Sequence, residues 1–132
     1  MGIPVRYDEA LAVICESRGL WRWREIVVGP MFLRFPPREQ QALLLHEVGH
    51  LKLGHLRQRL LAPLFHSPRA ILELCRSQEF QADLFVRHCG YGPDLARAFS
   101  RLTPIAPPKS LAERLLASLH PPRQERIARL LS

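Results

Sequence analysis

Two histidines four residues apart, His46 and His50, enclose Glu47 in the stretch Leu43-Leu44-Leu45-His46-Glu47-Val48-Gly49-His50. On an α-helix such a pair is separated by about 40° and one turn, so both imidazoles leave the same face and can meet at one point. Neutral imidazole nitrogens held in that way suit a first-row divalent metal, zinc above all. Glu47 lies about 100° round the helix from His46, beside such a metal rather than on it. There its carboxylate could act as general base towards a water that the metal activates. The chemistry open to this set is hydrolysis. The competing reading of the same letters is an amphipathic helix with incidental histidines, so the residues that would complete the site decide between them.

A catalytic zinc has three protein ligands and one open position. The metzincin extension of His-Glu-x-x-His would require glycine at 53 and histidine at 56, where this chain has Leu53 and Leu56. Gly54-His55 is displaced by one residue, and His55, nine residues beyond His46, points to the opposite face if the helix continues. It is expected to be a bystander. A later helical stretch, Ser77-Gln78-Glu79-Phe80-Gln81-Ala82-Asp83, places Glu79 and Asp83 on one face of an otherwise apolar segment. Two adjacent carboxylates on an inward face are costly unless cations or a metal take up their charge. Zinc coordination by Glu79, with Asp83 accepting a hydrogen bond from the free ring nitrogen of a ligand histidine, meets both needs. Glu73 is the other candidate; it sits about 120° from Glu79 without such a companion, which favours a surface role. One zinc per chain, on His46, His50 and Glu79, is therefore expected.

The elements that must position these residues can be read from pattern and punctuation. A chain of 132 residues that is 47% hydrophobic and 23% charged has the size and balance of one globular domain. Residues 7–18 carry a helical stripe, with Asp8 as N-cap and Gly19 as stop. Residues 20–35 are rich in β-formers interrupted by Gly29-Pro30, which predicts a hairpin or two short strands. Pro36-Pro37 opens the His-Glu helix, about 37–53, closed by Gly54. Gly49 inside it leaves room for another segment to pack close to the ligand face. Residues 56–69 contain Pro63 and Pro68 and are expected to be irregular or partly helical. A long helix is next, over about 68–88, then a short one over 94–102 and a proline-rich loop over 103–109. Ser110 caps a helix over 111–119, and His120-Pro121-Pro122 precedes a last helix through Leu131. His66 and His88 have no ligand spacing.

Composition narrows the function further. A formal charge of +7 permits contact with nucleic acid or an anionic membrane surface, but the arginines are scattered and no block of like charge forms. No apolar run approaches the roughly 18 residues that a span needs. The first residues show no signal-peptide core, and three cysteines without a C-x-x-C pair read as reduced, buried thiols, so a cytoplasmic location is expected.

Three ordered blocks together carry a resemblance: His46-Glu47-Val48-Gly49-His50, then Ser77-Gln78-Glu79-Phe80-Gln81-Ala82-Asp83, then His120-Pro121-Pro122-Arg123-Gln124-Glu125-Arg126-Ile127. The chain resembles the gluzincin metallopeptidases that include HtpX and the CAAX prenyl endoprotease, over about residues 37–131. Those relatives are integral membrane proteins and this chain has no candidate span, so it looks like a minimal catalytic domain of that kind, a minigluzincin. The resemblance implies an α+β, mainly helical zincin-like domain with a small antiparallel β unit, and a zinc endopeptidase in which Glu47 is the general base. It implies that His120 stabilises the developing oxyanion and that Arg126 anchors its segment through a carboxylate. A strand from 20–35 would then hold an extended peptide or unfolded protein substrate by edge pairing. The alternatives are a latent or inactive domain of the same kind, and a basic nucleic-acid-binding module with a structural metal.

Overall fold

A computed structural model describes residues 2–20, 22–102 and 109–132. Its sheet has three strands, β1 (Val5–Tyr7), β2 (Cys15–Leu20) and β3 (Trp23–Val28), in the order β1-β3-β2. The sheet is mixed rather than antiparallel. β1 runs parallel to β3 with Val5 opposite Ile26, and β2 runs antiparallel to it with Cys15 opposite Val28. The helix expected over 7–18 is absent. Ile26, Val27 and Val28 are buried in the central strand, and their backbone groups need a ladder on both sides. Residues 5–7 and 15–20 supply it, so tertiary pairing overrides the helical stripe. Asp8 caps a turn rather than a helix, accepting from the Ala10 N–H at 2.9 Å. Gly19, at φ +99°, turns the β2–β3 hairpin, where a Cβ would lie 1.6 Å from the Trp23 carbonyl oxygen. Of the expected β-rich stretch 20–35, Leu20 ends β2 and 23–28 form β3, its hairpin partner; Pro30–Arg34 forms a short 3-10 turn, and Trp21 lies outside the described residues.

The remainder is helical: α1 (Pro37–Lys52), α2 (His55–Phe65), α3 (Pro68–His88), α4 (Gly92–Arg101), α5 (Leu111–Ser118) and α6 (Arg123–Leu131). The α1, α3 and α6 bounds agree closely with the punctuation. Pro37 and Pro68 occupy first turns, where a missing N–H costs nothing, and the Ser67 hydroxyl accepts from the Ala70 N–H at 3.2 Å. Ser110 caps α5 by accepting from Glu113 at 3.1 Å. The segment expected to be irregular or partly helical, 56–69, is partly helical: α2 covers it to Phe65 and accommodates Pro63. Of the expected proline-rich loop, 103–108 lie outside the described residues. Sheet and helices share a core of Ile26, Val28, Phe32, Leu43, Leu51, Val86, Leu95, Phe99 and Leu130. No helix among the described residues is long and apolar enough to cross a membrane. Cys75 is buried as expected, Cys15 is half-buried and Cys89 is exposed; all are free thiols.

Helix α1, which carries both histidines, is fixed to α4 by ions as well as by apolar contact. Arg38 donates to both oxygens of the buried Asp94 carboxylate, at 3.2 and 3.1 Å, and Arg97 shares it. Buried Glu39 accepts from Arg101 at 2.6 Å. The Arg38 hydrogen bonds hold the Asp94 carboxyl below its ordinary range. A carboxylate depressed on folding contributes stability above its unfolded pKa and loses it as pH falls through the folded value. Asp94→Asn should therefore lower unfolding stability by about 1–2 kcal/mol at neutral pH, with the difference from wild type shrinking below about pH 4. Denaturant melts at both pH values check this.

Candidate metal centre

The three expected ligands meet. His46 and His50 are buried on adjacent turns of α1, and their Nε2 atoms lie 3.1 Å apart with the rings nearly perpendicular. Glu79, on α3, faces both: Oε2 is 3.3 Å from His46 Nε2 and Oε1 is 3.3 Å from His50 Nε2. Ligand atoms bound at 2.0–2.1 Å to one tetrahedral zinc are themselves about 3.3–3.4 Å apart. The two histidine nitrogens are 3.1 Å apart and each lies 3.3 Å from a different oxygen of the Glu79 carboxylate, near that spacing; the donors are two imidazoles and a carboxylate, so the group could hold a metal ion. The close approach of α3 depends on Gly49, where a Cβ would stand 3.2 Å from the Phe85 ring. Packing against α3 is thus what the helix gains for its glycine.

Asp83 stands one turn beyond Glu79. Its Oδ1 is 3.0 Å from His46 Nδ1, although the N–H direction misses the oxygen and leaves that buried nitrogen without a well-formed hydrogen bond. Arg126, from α6, grips Asp83 with two parallel bonds of 2.8 Å, lies 3.3 Å from Glu79 Oε2, and stacks over Phe99. The carboxylate that anchors Arg126 is therefore Asp83. Arg59, from α2, donates to Gln78 at 2.6 Å and to Glu79 Oε1 at 3.1 Å. His120 Nδ1 is 3.9 Å from Glu79 Oε2, too long for a hydrogen bond, and its side chain is 61% exposed, at the rim of the group. Burial opposes ionisation of Glu79, but His120, His46 and His50 outweigh it and hold the carboxyl far below its ordinary range. Burial likewise opposes the charge on Asp83, and Arg126 together with His46 overcomes it. For His46 the balance runs the other way: burial alone would lower it, while Asp83 and Glu79 raise it to about 9.

His55 is no bystander. Helix α1 ends at Lys52, and Gly54, at φ +70°, reverses the chain so that His55 returns beneath the site, fully buried. Its Nδ1 lies 2.8 Å from His50 Nδ1, and its Nε2 lies 2.9 Å from Gln81 Oε1. An amide oxygen only accepts, so His55 Nε2 carries the hydrogen. Burial pushes His55 down to about 4, so at neutral pH its Nδ1 keeps a lone pair and takes a hydrogen from His50. That tautomer of His50 would keep its Nε2 lone pair for a metal, whereas a hydrogen bond from Nε2 to Glu79 needs the other tautomer, so the two partners of His50 compete for one hydrogen. The sequence signal for this arrangement was Gly54, because the helical phase that put His55 on the far face of α1 ends at that glycine.

Glu47 leaves α1 on the side of β2. Its Oε1 is 4.0 Å from Cys15 Sγ, and Ser17 hydrogen-bonds to it through side chain and backbone. Burial raises its carboxyl above the ordinary range, against the opposing pull of His46 and Ser17. Burial also pushes the Cys15 thiol up, which keeps it uncharged beside the acid. Glu73, His66 and His88 are exposed and away from the group; Glu73 pairs with Arg69 at 3.8 Å.

Neither a scan against protein-family models nor a search of curated proteins gives a match for this chain. If His55 sets the tautomer of His50, His55→Asn should weaken divalent-metal affinity by about 10- to 100-fold, as loss of a ligand's supporting partner typically does. Competition with a chromophoric chelator measures this, and unchanged affinity would show that His50 needs no such partner.

Proposed function

We propose that the chain is a zinc-dependent endopeptidase whose site is His46, His50 and Glu79, with Glu47 as general base. The observation that carries the reading is the convergence of two imidazole nitrogens and a carboxylate within metal-binding distance of one another, with a further acid, Glu47, on the helix that carries both histidines. A zinc ion there would supply Lewis acidity to a scissile carbonyl and acidify the attacking water. Glu47 would accept the proton of that water and deliver it to the leaving amine. The elevated affinity of its carboxyl for protons, caused by burial, suits both halves of that task. His120, 3.9 Å from Glu79 and open to solvent, would donate to the developing oxyanion. Arg126 and Asp83 would hold His46 and Glu79 in place rather than touch the substrate.

The strand that would receive an extended substrate is β2, not the stretch 20–35. β3 is paired on both sides, whereas β2 is a sheet edge and carries the Cys15 and Ser17 contacts to Glu47. Peptide laid along β2 would pass the acid. One observation favours a second reading, a latent domain: Arg59 and Arg126 both reach Glu79 and already supply it with counter-charge.

Cleavage of casein or a quenched peptide, with and without chelator, separates the two readings. Glu47→Gln keeps the shape and removes the base, so it should retain metal while losing most turnover; wild-type turnover in this variant would refute the mechanism. His120→Phe should lower kcat by roughly 10²- to 10³-fold with little change in KM and none in metal content, the signature of a donor used in the transition state. A change in metal content would make His120 a structural support instead.

A further inference from the structure

Helix α2 has its polarity turned inside out. The side facing the protein carries His55, Arg59 and Ala62, which are buried or half-buried. About half a turn away, the outward side carries Leu60, Leu61 and Leu64, with Arg57 among them. These leucines are exposed, Leu64 at 74%, and Phe65 at the end of the helix is 78% exposed. A helix on a protein surface ordinarily presents polar residues to water, and clustered exposed leucines mark a surface that is covered in use. Charge tells what covers it. Between Glu47 and Glu73 the chain has no aspartate or glutamate, while Lys52, Arg57, Arg59 and Arg69 all fall in that interval. Arg59 is spent on Glu79, but Arg57 is exposed among the leucines, Lys52 is exposed at the end of α1 over the Phe85 ring, and Arg69, just beyond Phe65, is exposed even though it pairs with Glu73 at 3.8 Å. A symmetric pairing of two copies would set these like charges against one another. An apolar stripe flanked by cations of one sign matches instead a helix lying in the interface of an anionic bilayer.

We propose that the outward face of α2 docks the protein on anionic phospholipid, with Leu60, Leu61, Leu64 and Phe65 entering the headgroup boundary and Lys52, Arg57 and Arg69 pairing with lipid phosphates. Docking needs no spanning segment and uses the side of α2 opposite His55 and Arg59, which face the candidate metal centre. The test is co-sedimentation of the full chain with phosphatidylcholine vesicles prepared with and without phosphatidylglycerol. Binding should be at least about 10-fold stronger to the anionic vesicles and should fall as salt is raised. Leu64→Gln with Phe65→Gln, both exposed and so harmless to the core, should reduce it about 10-fold or more, as should Arg57→Gln with Arg69→Gln. Leu131→Gln, an exposed leucine on α6, should leave it unchanged. No binding to either vesicle, or equal, salt-independent binding to both, would overturn the proposal. So would a concentration-dependent dimer that the Leu64/Phe65 variant dissolves while vesicles bind nothing, since the face would then join two copies.

Discussion

Two buried carboxylates one turn apart on α3 impose most of what surrounds them. Glu79 and Asp83 are both nearly inaccessible to water, and negative charge in that position is costly unless matched. Every neighbouring element answers with a cation or a ring nitrogen: α1 with His46 and His50, α2 with Arg59, α6 with Arg126, and the turn before α6 with His120. The site is thus the point at which four helices are electrostatically tied, and its geometry is inherited from packing that the fold must achieve anyway. Removing one partner would leave a buried charge behind, which is why single changes here are expected to disturb metal affinity and local order together.

Around this node the supporting contacts are short-range and specific. Gly49 lets Phe85 of α3 pack closely on α1, where a Cβ would stand 3.2 Å from its ring. The reversal at Gly54 returns His55 under His50, and Gln81, two residues beyond Glu79 on the same helix, fixes the proton on His55. The ligand and the group that orients its partner therefore ride on one rigid element. On the other flank, β2 brings Cys15 and Ser17 against Glu47, so the acid is held by the sheet edge rather than by the metal group. The proline-bounded starts of α1 and α3 fix where in each helix His46, His50 and Glu79 fall.

What could be seen in the sequence were the features governed by local rules. His46, His50, Glu79 and Asp83 stand out through helical periodicity and the cost of burying paired acids, and the helix bounds at Pro37, Pro68 and Ser110 through capping. What was hidden depends on non-local pairing. Residues 7–18 have a helical stripe, yet the demand of β3 for two neighbours makes their ends strands and the middle a turn. His55 was misplaced because helical phase cannot be carried across a glycine in the left-handed region. Arg59 gave no signal at all: its partners lie 19 and 20 residues away on another helix. The inverted polarity of α2 is invisible until the inward face is known, because its leucines read as core.

The central claim, that His46, His50 and Glu79 together hold one zinc, is tested most directly by metal analysis of the zinc-reconstituted protein after exhaustive dialysis, alongside Glu79→Ala. The predicted result is one equivalent of zinc per chain in the wild type and strongly weakened retention in the variant, with both folded by circular dichroism. A wild type that keeps no stoichiometric zinc, or a Glu79→Ala variant that keeps all of it, would contradict the claim.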